Sequence, residues 1–165
     1  MSSLVRLGVG ALSVILAAAA PASTAGDASP PRAEVPAAVA AYYQAQEEGD
    51  IETSLRQLAP GAVLVEPNSL PYRGEFVGRE GWRRFFTMFG TVWREPASRN
   101  HSFSVGPDAV WSRFELSLST RCGDRVTTPV AERIEVGPDG IRRMEVFYAD
   151  TAALVRVLDA CERPT

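Results

Sequence analysis

Positive charge is in short supply in this 165-residue sequence: 17 basic residues, all of them arginine, face 20 acidic ones, for a formal net charge of -3. Nucleic-acid binding needs a basic footprint, so that balance excludes a nucleic-acid partner. The sequence has one histidine and two widely separated cysteines, which leaves no ligand spacing for a metal. It has no phosphate-cradling glycine loop, no dinucleotide fingerprint and no Gly-x-Ser-x-Gly elbow, so no cofactor is expected. The apolar run from Leu7 to Ala20 is shorter than the roughly 20 residues that span a bilayer.

That run, with Arg6 before it and Ser23-Thr24-Ala25 after it, reads as a secretory signal peptide over residues 1–25, cut before Gly26. The alternative is an N-terminal membrane anchor. No cysteine near the cleavage point invites a lipid. Cleavage would leave an exported protein, secreted or held in the cell envelope, with no stable membrane partner. Residues 26–36, rich in Pro, Ala and Ser, read as a disordered linker, and residues 37–162 as one domain.

Within that domain, Val35, Val39, Tyr42 and Gln46 recur at helical spacing and put Tyr42 on the apolar face of a first helix. Gly49 ends it, and Asp50 is a natural N-cap for a second helix carrying Ile51, Leu55 and Leu58, which Pro60-Gly61 should stop. Ala62 to Glu66 reads as a short strand that Pro67 terminates, and Pro71-Tyr72-Arg73-Gly74 as a hairpin turn with Arg73 in solvent. A third helix is expected from about Arg79 to Phe89, with Gly90 as its C-cap and an aromatic stripe of Trp82, Phe85, Phe86 and Phe89.

The second half changes to a period of two, the pattern of half-buried antiparallel strands. Val110, Phe114, Leu116 and Leu118 share one face; after an Arg121-Cys122-Gly123-Asp124 turn, Val126, Thr128, Val130, Glu132, Ile134 and Val136 share another. Met144, Val146 and Tyr148 line the strand after the Gly137-Pro138-Asp139-Gly140 turn, and a closing helix starts near Asp150. Three short helices, a meander and a last short helix make an α+β fold.

Two acids interrupt this pattern. Glu132 sits between Val130 and Ile134 on a core-building face, and Glu66 shares a face with Ala62 and Leu64. A carboxyl there must be protonated, paired or solvated in a cavity, because bare burial costs several kcal/mol. His101 shares a strand face with Phe103 and Val105 and is either a core residue or a second titrating group.

The ordered set Tyr42, Gly49-Asp50, Glu66-Pro67, Pro71-Tyr72-Arg73-Gly74 and Gly78-Arg79-Glu80-Gly81 resembles the start of a SnoaL-like or ketosteroid-isomerase-like domain of the nuclear transport factor 2-like superfamily. The resemblance implies a cone in which three N-terminal helices pack on a strongly curved antiparallel sheet around a pocket. It implies that Glu66, just before a proline at a strand end, is the catalytic base, and that Tyr42 and a protonated Glu132 donate hydrogen bonds to a developing oxyanion. Both family aspartates would be glutamates here. Trp82, Phe86, Phe114, Tyr148 and His101 would then be candidates for the pocket wall. In an oxidising compartment the even cysteine count admits a Cys122–Cys161 disulfide, with two unpaired thiols as the alternative.

Three functions remain open to the sequence. One is a cofactor-independent isomerase, cyclase or hydratase acting on a small apolar carbonyl compound. Another is an extracellular carrier of a small apolar molecule. The third is an assembly module whose open sheet face forms a homodimer.

Overall fold

Helix α1 (Ala37–Glu47) starts where the Pro36 carbonyl receives the N–H groups of Val39 and Ala40, at 2.9 and 3.1 Å. It buries Val39, Tyr42, Tyr43 and Ala45. Gly49, at φ +73°, turns the chain back, and Asp50 caps α2 (Ile51–Arg56) by accepting the Thr53 N–H at 2.9 Å. This computed structural model describes residues 34–162. The expected signal peptide and the linker up to residue 33 lie outside the described residues.

Helix α2 ends earlier than its periodicity predicts. Leu58 is not its last apolar position but the first residue of β1 (Leu58–Glu66), where it pairs with Ile141. Pro60-Gly61 lies inside that strand, at the irregularity where the register shifts between Leu58 and Val63. A bulge tolerates a proline without its N–H and a glycine at φ +73°, so the breaker pair bends a strand here instead of stopping a helix. A further short strand, β2 (Gly74–Val77), was not foreseen; it pairs antiparallel with β1, Phe76 opposite Leu64.

Helix α3 (Gly78–Val92) runs through Gly90, which is therefore not its cap. Its end is set by tertiary anchoring: Trp93 is fully buried, and its indole N–H donates to the Tyr72 hydroxyl at 3.0 Å. Then follow β3 (Trp93–Val105), β4 (Val110–Thr120), β5 (Arg125–Gly137), β6 (Gly140–Tyr148) and α4 (Thr151–Glu162). Asp150 caps α4 through the Ala153 N–H at 2.7 Å, and the 12-residue helix is no shorter than α1.

The six strands form one curved sheet in the order β2-β1-β6-β5-β4-β3. It is mixed and not wholly antiparallel, because β1 runs parallel to β6. That pairing rests on a close approach at Gly140: φ is +115°, a Cβ would lie 2.3 Å from the Gln57 carbonyl oxygen, and the next N–H, of Ile141, donates to that oxygen at 2.9 Å. Alternation along β1, β5 and β6 turns Leu64, Val130, Ile134, Met144 and Val146 toward one core with Val39, Leu55, Trp82 and Leu154. Cys122 and Cys161 are bonded, with Cα atoms 5.6 Å apart, and tie the end of α4 to the β4–β5 turn.

Candidate acid–base site

A cavity of about 550 Å³ opens between α1, α3 and the inward face of the sheet. Its walls are apolar: Phe85, Phe86 and Phe89 from α3, Phe114 and Leu116 from β4, Met144 and Val146 from β6. Tyr42, Glu66, Glu132, His101, Phe86, Phe114 and Tyr148 all line it. Trp82 does not; it is fully buried behind the wall, donating its indole N–H to the Ala62 carbonyl at 3.2 Å.

The two carboxyls arrive by strand register. Glu66 follows Ala62 and Leu64 on the inward face of β1 and is 3% exposed. Glu132 lies opposite Val146 of β6, and β6 separates β5 from β1. Two strand spacings place the backbones about 10 Å apart, so the side chains flank the same stretch of cavity floor.

Each carboxyl is held by a tyrosine hydroxyl. Tyr43 donates to Glu132 Oε2. Tyr148 donates to Glu66 Oε2 at 3.2 Å. The Tyr72 hydroxyl, near enough to raise the Tyr148 pKa, accepts from the Trp93 indole N–H at 3.0 Å. Tyr43 was missed in the sequence, where attention rested on Tyr42; its spacing of four from Val39 was the available signal, since α1 buries a wide arc that includes both tyrosines.

Burial separates the two acids electrically. Desolvation pushes Glu132 up to about 7, with the Tyr43 hydrogen bond pulling the other way. Glu66 is raised well above the ordinary carboxylate range, first by desolvation and then by the charge of Glu132, against the Tyr148 hydrogen bond. Two carboxyls in one cavity titrate as a pair, and the raised values of both disfavour a doubly charged state. Burial also lifts the Tyr42, Tyr43 and Tyr148 phenols well above their ordinary value, so all three remain donors.

His101 stacks on Phe114, with ring centroids 4.6 Å apart and an angle of 19° between planes. Both ring nitrogens are buried without a hydrogen-bond partner among the described residues. Burial depresses its pKa against the opposing influence of Glu47, so the ring is uncharged near neutral pH. No group of three His, Cys, Asp or Glu side chains that could hold a metal occurs among the described residues. The arrangement offers a base, hydrogen-bond donors and an apolar enclosure.

A family profile described as SnoaL-like domain matches residues 39–153. Among the curated proteins none matches the chain. Among solved structures, TerC co-crystallised with polyporic acid is 22% identical, with a TM-score of 0.69 over 74% of this chain and 95% of that one. An NTF2-like protein of unknown function from Burkholderia pseudomallei K96243 is 19% identical, with a TM-score of 0.68 over 73% of this chain and 94% of that one. A candidate polyketide cyclase from Xanthomonas campestris pv. campestris is 17% identical, with a TM-score of 0.62 over 73% of this chain and 93% of that one. At these identities the structures share a fold with this chain, and the profile covers most of the domain. The chain belongs to the SnoaL-like domain family.

Proposed function

We propose that this protein is a cofactor-independent acid–base catalyst, of the isomerase or cyclase kind, acting on a small apolar carbonyl compound. The observation that carries the reading is that Glu66 and Glu132 open on one apolar cavity, each on its own tyrosine hydroxyl, with pKa values pushed up to different extents. The sequence resemblance made Glu66 the base and Glu132 the protonated donor. The electrostatics favour the reverse. Glu132, poised near neutrality, takes the proton from a carbon next to the carbonyl. The electron pair of the broken C–H bond moves onto the carbonyl oxygen, where protonated Glu66 and the Tyr42 hydroxyl donate hydrogen bonds. Glu132 then returns the proton to another carbon, which is isomerisation, or the enolate carbon attacks a second carbonyl, whose π electrons move onto its oxygen and take the proton from Glu132, which closes a ring.

Phenols of graded acidity mimic the enolate and report ionisation in the ultraviolet. Bound phenols are expected to ionise near neutral pH; Glu132→Gln should suppress that ionisation and Tyr42→Phe should weaken binding. Phenols that bind un-ionised and ignore both substitutions would leave the cavity as a carrier site.

Two further readings each rest on one observation. Trp111 and Phe147 are 40% and 47% exposed, with rings 5.9 Å apart on the outer face of the sheet, and this favours a homodimer through that face. Concentration-dependent sedimentation tests it. The bonded cysteines accord with export to an oxidising compartment. A mature N-terminus at Gly26 would support export, and an intact Met1 would count against cleavage.

A further inference from the structure

Among the described residues, no arginine lines the cavity. The charged side chains that do are all acidic: Glu66 and Glu132 within, and the exposed Glu47 and Glu48 where α1 ends. Neither Glu47 nor Glu48 forms an ion pair among the described residues, although nine ion pairs occur elsewhere. The one lining group able to carry positive charge, His101, is stacked against Phe114 with both nitrogens enclosed. A second anion entering this space would meet negative charge at close range in a poorly screening medium, with no cation to offset its lost hydration. A neutral molecule meets apolar walls and hydrogen-bonding groups without that penalty.

We propose that the cavity selects its substrate by charge: it takes an uncharged aromatic or polycyclic carbonyl compound and rejects one bearing its own carboxylate or phosphate, with Glu47 and Glu48 as specificity-determining residues at the entrance. The reacting group rests on the acid–base reading above; the charge rule does not require turnover. The two are compatible because proton transfer to Glu132 removes a negative charge as one develops on the substrate oxygen. The cavity's net charge is the same before and after that step, whereas a substrate that arrives ionised adds a charge that nothing neutralises. The stacked pair His101 and Phe114, with the α3 phenylalanines also in the wall, favours an aromatic occupant.

The test uses the intact protein and two molecules of one shape, 2-naphthamide and 2-naphthoate, whose binding is measured by calorimetry near pH 8 at low salt. The amide should bind at least roughly tenfold more tightly. Raising salt to about 0.5 M should narrow the gap about threefold, because the entrance charges are exposed and screened. Glu47→Gln with Glu48→Gln should narrow it by a similar factor while leaving the amide's affinity within about twofold. Equal binding of amide and carboxylate overturns the charge rule, and phenol ionisation in the same protein would then leave the acid–base reading standing. A gap indifferent to both salt and the double substitution overturns the assignment to Glu47 and Glu48. Failure of both molecules and of all phenols to bind overturns the charge rule and the acid–base reading together.

Discussion

Replacing Glu132 by glutamine should stabilise this protein at high pH and, under the proposed acid–base role, abolish turnover. Glutamine has the same shape, carries no charge, and retains an oxygen that can accept the Tyr43 hydroxyl. Lifting a carboxyl from its ordinary 4.5 to about 7 means that the folded protein holds the proton more tightly than the unfolded chain. The Glu132 contribution to wild-type stability therefore falls as pH rises from about 4.5 and levels off above about 7, by a total of about 3 kcal/mol. Glu66, raised mainly by desolvation, acts in the same direction, and the substitution relieves the smaller part of its shift that comes from the Glu132 charge. Urea unfolding of wild type and Glu132→Gln at constant ionic strength should give matching free energies near pH 4 and a variant more stable by up to about 3 kcal/mol near pH 9. A difference of the same size at both ends, or a variant weaker at high pH, would refute the claim that Glu132 is a half-buried, proton-holding carboxyl. Loss of turnover with gained stability is the pattern expected of a group kept for chemistry at the expense of folding.

Tyr43→Phe removes the hydrogen bond that holds the Glu132 pKa down, so the carboxyl should titrate at a higher pH, moving the ionisation of bound phenols upward with it. The same variant should lose about 1–3 kcal/mol near pH 8, where Glu132 is charged and has lost its donor; an unmoved Glu132 titration by carbon NMR would count against the contact. Reducing the Cys122–Cys161 bond, which closes a separation of 39 residues, should lower the unfolding free energy by about 4 kcal/mol in the chain-entropy account. Phenol affinity should change little, because neither cysteine lines the cavity; stability unchanged by reductant would contradict the estimate.

Local features were legible wherever a short stretch decided them. The Gly49-Asp50 turn, the α1 stripe and the alternation from Val126 to Val136 depend on neighbours within a few residues, and the structure follows them. Pro60-Gly61 and Gly90 misled for a common reason. Each is a breaker by local preference, and each was overruled by partners far along the chain: Ile141 pairs with Leu58 before the first, and Tyr72 anchors Trp93 after the second. The Glu132 anomaly was visible because a charged residue interrupted an otherwise apolar face. Tyr43 was overlooked because its hydrogen-bond partner lies 89 residues away.

The sequence by itself determined the helical and strand periodicities, the α+β class and the presence of two acids on core-building faces, because these follow from residue type and spacing along a few turns or strands. Only the tertiary structure decided that β1 runs parallel to β6, that Glu66 and Glu132 flank one cavity floor, and that both carboxyls are pushed above their ordinary range. Those outcomes depend on strand register, burial and the separation of charges in space, which no run of adjacent residues encodes.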